Sequence, residues 1–239
     1  MARLAIIPAR SGSKRIPDKN VKPFHGRPVI EYSLAAARDS GLFDVIHVST
    51  DSEVIAGIAA KLGAPVDFLR PAALGGDSVP LRDVLRFVRD RYSELGRNFD
   101  CICRLSACAP LTEAADLVAA ETLFATHGGR RAVTAVFQTP GSLQRAFSLS
   151  EDGILEPLRG DRMLARSQDL AATYQDAGSF ALLPPDYLDR PDAEFYRDRA
   201  GFVLPFERAI DIDEPEDWRL AELIYAGRRA LSGEGEGTR

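Results

Sequence analysis

Apolar and polar positions fall in blocks along the chain, and block length separates strands from helices. Leu4-Ala5-Ile6-Ile7 is a short continuous apolar run, the pattern of a strand covered on both faces, and predicts a strand over Leu4–Pro8. A helical pattern over Val29–Arg38 stops at Gly41, and a second strand follows at Val45–Ser49. Glu53–Leu62 predicts a helix that Asp51 or Ser52 can cap, and Val66–Leu69 a short strand. Leu81, Val84, Leu85, Val88 and Tyr92 recur at helical spacing, so Leu81–Leu95 predicts an amphipathic helix. Cys101–Leu105 and Ala132–Phe137 read as strands on either side of a helix over Ala114–Ala125. This βαβα rhythm predicts an α/β fold with a mostly parallel, doubly wound sheet of Rossmann type.

The rhythm breaks near residue 140. Thr139-Pro140-Gly141 turns the chain into an irregular stretch that runs to about residue 200. Within it, Phe147–Leu149 and Gly153–Pro157 can pair as a hairpin across Ser150-Glu151-Asp152-Gly153. Such an excursion predicts a lobe over a site or a dimerisation arm. Phe180–Leu183 and Phe202–Leu204 read as strands returning to the sheet, and Pro215 opens a final helix. The expected organisation is one domain over residues 1–228, with the lobe inserted at about 140–200. A tail over 229–239, with no apolar residue after Leu231, is expected to be disordered.

Composition narrows the function. Of 239 residues, 45% are hydrophobic and 27% charged, as in an ordinary soluble domain. A net charge of -5 argues against nucleic-acid or anionic-membrane partners, so any local cluster of cations stands out. No apolar run approaches the roughly 18 residues of a membrane span, and no secretory segment precedes the first strand. Cys101, Cys103 and Cys108 lie in or beside an apolar run and read as reduced core thiols, which suits a cytoplasmic protein.

The cluster that stands out is Ile7-Pro8-Ala9-Arg10-Ser11-Gly12-Ser13-Lys14-Arg15-Ile16-Pro17-Asp18-Lys19-Asn20. Small residues after the first strand let the backbone turn and present N–H groups, while Arg10, Lys14, Arg15 and Lys19 surround the turn. Such a loop is suited to a polyanion such as a triphosphate. Neither GxxxxGK[ST] nor GxGxxG is present. A second element is Ile210-Asp211-Ile212-Asp213. In a strand, alternation sends Asp211 and Asp213 to one side, where two hard oxygen ligands suit Mg²⁺; the alternative is a solvated strand end.

The N-terminal pattern PAR-x-G-S-K-R-x-P-x-K-N resembles the signature of the cytidylyltransferases that make CMP-activated nonulosonic acids, the CMP-sialic acid synthetase group. Val48-Ser49-Thr50-Asp51, Leu69-Arg70-Pro71-Ala72, Ala109-Pro110-Leu111 and Ile210–Trp218 follow in family order. Gln144-Arg145-Ala146, Arg166–Leu170 and Tyr174–Phe180 are most similar to enzymes acting on pseudaminic acid. The resemblance implies a nucleotide-diphospho-sugar transferase-like fold, CTP and a nonulosonic acid as substrates, Mg²⁺ as cofactor and a homodimer. It assigns Arg10 and Lys19 to the triphosphate and to catalysis, with Ser13 and Asn20 beside them. Arg70 and Asp77 are assigned to the cytosine side, Asp211 and Asp213 to the metal, and Arg166, Gln168 and Asp176 to the acceptor. Two departures are Ser11, where the family often has Gly, and Ser106-Ala107-Cys108. Legionaminic or sialic acid as acceptor, or a metal-dependent glycosyltransferase, are the competing readings.

Overall fold

The computed structural model describes residues 1–232 apart from Asp77, Gly141 and Ser142. Among the described residues the strands are β1 (Arg3–Pro8), β2 (Pro23–Phe24), β3 (Arg27–Pro28), β4 (Val45–Ser49), β5 (Cys101–Leu105), β6 (Ala132–Gln138), β7 (Phe147–Leu149), β8 (Leu155–Pro157), β9 (Tyr174–Leu183) and β10 (Arg199–Leu204). The α-helices are α1 (Val29–Asp39), α2 (Glu53–Lys61), α3 (Leu81–Glu94), α4 (Ala114–Thr126), α5 (Asp192–Phe195) and α6 (Pro215–Leu231). Six strands form one sheet in the order β10-β6-β9-β5-β1-β4, while β2 pairs with β3 and β7 with β8. Only β9 runs against its neighbours in that sheet.

Alternation within the apolar runs divides the core. Ala5 and Ile7 of β1 pack with α1, α2 and α4 on one face, while Leu4 and Ile6 pack with Leu85, Val88 and Tyr92 of α3 on the other. Both faces are covered, which is why these strands read as continuous apolar runs. A third cluster, with Phe24, Tyr32, Ile212 and Trp218, fastens α6 beside the loop after β1.

Element boundaries follow the sequence reading closely. Ser52 is the cap of α2, accepting from the Ile55 amide at 3.4 Å. Three differences are informative. The strand expected at Val66–Leu69 does not form; that stretch joins no ladder, although Arg70 N donates to Thr50 O at 2.8 Å. Helix α6 continues through Leu231, past the expected start of the tail at residue 229, and the tail from 233 onward lies outside the described residues. The strand expected at Phe180–Leu183 is the second half of β9, whose pairing to β6 jumps from Thr134↔Ala181 to Val136↔Asp176. That irregularity bends β9 around Gly178 (φ +65°) and re-aims the residues next to it, as bulges commonly do beside functional sites.

Candidate active site

The carboxyl ends of β1, β4 and β5 face the same crevice, the usual ligand position in an open α/β sheet. After β1 the chain turns through Gly12 at φ +71°, the only residue of the Ser11-Gly12-Ser13 turn in the left-handed region. Ser11 therefore carries no such strain. It ties the loop to β4 instead, its amide and hydroxyl donating to the Asp51 carboxylate at 3.0 Å each. Burial opposes ionisation of Asp51, but the Ser11 donors and the Arg70 charge outweigh it and hold its pKa below the ordinary value.

The loop then folds back on itself. Asp18 adopts a left-handed conformation (φ 51°) and leads into a 3-10 turn over Lys19–Val21. The Lys19 ammonium donates to Ile212 O at 2.7 Å and to Asp213 Oδ1 at 3.1 Å. Asn20 donates its side-chain amide to Arg10 O at 2.9 Å, which locks the two ends of the cationic segment together. Beneath them, burial pushes the Cys108 thiol up to about 12, so it stays protonated and donates to Asn20 Oδ1 at 3.4 Å. Ser106 is also engaged in holding the backbone, accepting from Cys108 N at 3.3 Å.

These contacts surround a cavity of about 300 Å³ lined by Arg10, Ser13, Lys19, Asn20, Arg70 and Asp213. Arg70 is only 5% exposed, and its Nε is buried without a hydrogen-bond acceptor. Burial lowers its pKa, opposed by Asp51 at 3.5 Å. A desolvated guanidinium with an unused donor beside a cavity is suited to a polar ligand group. Asp77 lies outside the described residues.

Asp211 and Asp213 are not in a strand, contrary to the sequence expectation; they lie in irregular chain between β10 and α6. Their alternation survives nonetheless, because Ile212 between them is buried under α6. Asp211 keeps an edge open to solvent, yet surrounding protein is the main reason its carboxyl is raised, followed by repulsion from Asp213; Lys19 and Arg104 oppose both. Burial would raise Asp213 too, but Lys19 and then Arg15 bring it below its ordinary value. Arg15 pairs with Asp213 at 3.1 Å and Glu214 at 2.7 Å.

The chemistry of this carboxylate pair fits a hard divalent cation. Its geometry is consistent with that use: a Cβ on Gly178 would lie 2.3 Å from the Asp211 carboxyl, so the backbone leaves room for the carboxylate and nothing more. Among the described residues no three acidic, His or Cys side chains converge to hold a metal alone. A Mg²⁺ ion at Asp211 and Asp213 would take its remaining ligands from phosphate oxygens and water.

The expected acceptor residues separate. Asp176 stands beside this group, 3.9 Å from Arg104 Nη2. Arg166 does not: it is exposed on the inserted lobe and pairs with Asp169 at 2.9 Å. Gln168 lines another cavity, with Arg145 and Gln138. The Arg166–Asp169 ion pair is local, closed across a short turn. Two residues were missed. Asp51 belongs to a segment that carries the family resemblance and is a candidate helix cap, but the sequence assigns it no place in the site. Arg104 interrupts the apolar run Cys101–Leu105, and that interruption was the available signal.

An α/β sheet with a cation-lined crevice at its strand ends and an acidic pair at its rim defines a nucleotidyltransferase-like protein. Residues 4–141 match the model of the family described as cytidylyltransferase. The chain belongs to the cytidylyltransferase family, which leaves no place for the glycosyltransferase reading. It is 35% identical over 232 residues to the pseudaminic acid cytidylyltransferase of Campylobacter jejuni subsp. jejuni serotype O:2, covering 94% of this chain and 97% of the relative. It is 30% identical to the CMP-N,N'-diacetyllegionaminic acid synthase of Legionella pneumophila, covering 97% and 100%. A solved CMP:2-keto-3-deoxy-manno-octonic acid synthetase complexed with CTP shares the fold, with TM-score 0.70, 16% identity and coverage of 95% and 100%. Among the described residues no helix is long and apolar enough to cross a membrane.

Proposed function

We propose that this protein couples CTP to a nonulosonic acid, with pseudaminic acid as the preferred acceptor, releasing pyrophosphate and a CMP-sugar. The observation that carries the reading is the convergence of Arg10, Lys19, Asn20 and Arg70 on one cavity beside Asp211 and Asp213. The preference for pseudaminic over legionaminic acid rests on the higher identity to the pseudaminic acid enzyme.

In this reading the anomeric hydroxyl attacks the α-phosphorus in line and pyrophosphate leaves. Arg10 grips phosphate oxygens with its planar fork. Lys19, held at the cavity wall by Ile212 O, places a positive charge where the leaving group gains negative charge. The buried Arg70 donor faces the nucleotide's base side, with Ser13 and Asn20 completing the polar wall. Asp211 and Asp213 would hold a Mg²⁺ ion, which would supply charge to shield the phosphates and make the attacking hydroxyl more acidic. Asp176 is positioned for the acceptor.

The lobe supports a homodimer. Leu149, Ile154, Leu155, Leu158 and Leu164 are all more than half exposed there, an apolar surface that a second copy would cover. Arg166 and Gln168 keep an acceptor role in this reading only if a second copy carries them to its neighbour's cavity. Three free, buried cysteines suit a reducing cytoplasm.

The test is pyrophosphate release from CTP and Mg²⁺ with pseudaminic, legionaminic, sialic and shorter ulosonic acids offered in turn. Release with pseudaminic acid at the highest kcat/KM is expected. Release with none of them, or equal release with UTP or ATP, refutes the proposal.

A further inference from the structure

One carboxylate fastens two walls of the cationic cavity from behind. Asp51, just after β4, stands behind the wall that Arg10, Ser13 and Arg70 line, with its side chain 18% exposed. On one side it holds the loop after β1: Oδ1 accepts from the Ser11 amide and Oδ2 from the Ser11 hydroxyl, each at 3.0 Å. On the other it meets the segment that begins at Arg70. Arg70 Nη2 donates to Asp51 Oδ1 at 3.5 Å, and the Arg70 amide donates to Thr50 O at 2.8 Å. A Cβ on Gly75 would lie 2.7 Å from Asp51 Oδ2, with Ala72 O next at 3.2 Å. Gly75 has φ −87°, which any residue can adopt, so the missing Cβ serves the approach of the carboxylate and not the backbone.

Arg70 is the group that this carboxylate aims. Its side chain is almost wholly buried, Nη2 is engaged by Asp51, and Nε has no acceptor among the described residues. A guanidinium so desolvated needs a counter-charge, which Asp51 supplies against repulsion from Arg10. Its long stem has many rotamers, and an acceptor behind it selects one. The direction matters because a guanidinium offers donors only. Cytosine presents acceptors at both N3 and O2 of its pairing edge, whereas uracil presents a donor at N3. A fixed edge of donors therefore separates the two bases, while one free to turn follows either.

We propose that Asp51 is a positioning residue for base selection: it holds the Arg70 guanidinium in the orientation that favours cytosine over uracil, and by gripping Ser11 it fixes the base side of the cavity against the triphosphate side. The proposal rests on the cytidylyltransferase reading and deepens it. Asp51 touches no reacting atom, so its loss acts on which nucleotide binds and how tightly. The two grips divide these effects. The contact with Arg70 sets selectivity, and the contacts with Ser11 set affinity for any triphosphate. The Ser11 hydroxyl, which a Gly at this position would lack, adds the second bond of that grip.

Equilibrium binding without an acceptor, where no turnover occurs, tests this. The protein is titrated with CTP and, in parallel, with UTP, both with Mg²⁺. Wild type is expected to bind CTP at least about tenfold more tightly than UTP. Asp51→Ala is expected to weaken CTP binding by about tenfold or more and to bring the two nucleotides within about threefold of each other. Each ratio is taken within one protein, so a general loss of folded protein, which lowers both affinities alike, does not produce that change. Ser11→Ala is expected to weaken CTP and UTP equally, by severalfold, with the ratio kept. Gly75→Ala pushes the Asp51 carboxylate aside without backbone strain, so it is expected to lower the ratio too, and it serves if Asp51→Ala fails to fold. Added to Asp51→Ala, it is expected to change the ratio by less than about twofold. The proposal is overturned if folded Asp51→Ala or Gly75→Ala keeps the wild-type ratio, if Ser11→Ala alone removes the preference, or if Gly75→Ala acts as strongly without the Asp51 carboxylate as with it. Equal binding of CTP and UTP by wild type would refute the cytidylyltransferase reading itself, and the proposal with it.

Discussion

Replacing Gly178 with Ala isolates how tightly the backbone controls the acidic pair. The new Cβ would lie 2.3 Å from the Asp211 carboxyl, against about 3.4 Å for an ordinary contact, so the carboxylate must retreat by about 1 Å. The obstacle is not confined to a mobile tip: Cγ and both oxygens lie within 2.6 Å. Two effects follow. A φ of +65° is uncomfortable for any residue with a Cβ and costs about 1–2 kcal/mol of stability. A displacement of 1 Å at a catalytic group can lower turnover by about 10²-fold. Gly178 O also accepts from Arg104, so the shift is transmitted to both sides of the site. Gly96→Ala provides the comparison, since Gly96 has φ +75° with nothing within 4 Å of a Cβ and should show the strain alone. The measurements are melting temperature and pyrophosphate release across a Mg²⁺ titration. Both variants should melt earlier by a similar amount, and only Gly178→Ala should lose activity and need more Mg²⁺. A folded Gly178→Ala enzyme with wild-type kcat and Mg²⁺ dependence would refute the assignment of Asp211 to the reacting site.

Three further outcomes are expected. Lys19→Ala should lower kcat by about 10² or more, the loss typical of one preorganised electrostatic contact, and near-normal turnover in the folded variant would remove Lys19 from catalysis. Replacing Asp211 and Asp213 together with Asn should leave folding intact and abolish activity or shift it to much higher Mg²⁺; an unchanged Mg²⁺ curve would reduce the pair to a helix approach. His47, stacked on Phe68 at 4.5 Å, is held neutral by burial, its pKa lowered from 6.5 to about 4. Because the unfolded chain binds that proton first, stability should fall as pH drops from 6.5 toward 4, by up to about 3 kcal/mol. His47→Phe should flatten that window in denaturant melts at successive pH values, and an unaltered slope would show that other groups are responsible.

Much of this protein could be read from one dimension because the signals are local. Continuous apolar runs at β1, β4, β5 and β6 reflect burial on both faces, and the spacing in α3 reflects burial on one. The cationic segment was legible for the same reason: its cations, its small turn residues and its position after the first strand are contiguous. The pairing of Asp211 with Asp213 also survived, although the strand expected to carry it did not form, because a buried Ile212 alone enforces the alternation.

What tertiary structure decided was which distant residues meet. Lys19 reaches Ile212 and Asp213 across more than 190 positions, and Ser11 reaches Asp51 across 40. No periodicity encodes such meetings; they follow from strand order, which sets the ends of β1, β4 and β5 side by side. Val66–Leu69 had the composition of a strand but found no ladder. Arg166 lies on an exposed lobe, paired with its neighbour Asp169 and away from its own chain's cationic cavity. Arg104 looked like an interruption in an apolar strand, and only the bend of β9 around Gly178 gave it a partner and a cavity on either side. Burial patterns are a property of each segment's own surroundings and are written locally, whereas a site is a property of where segments end, and that is fixed only when the whole sheet closes.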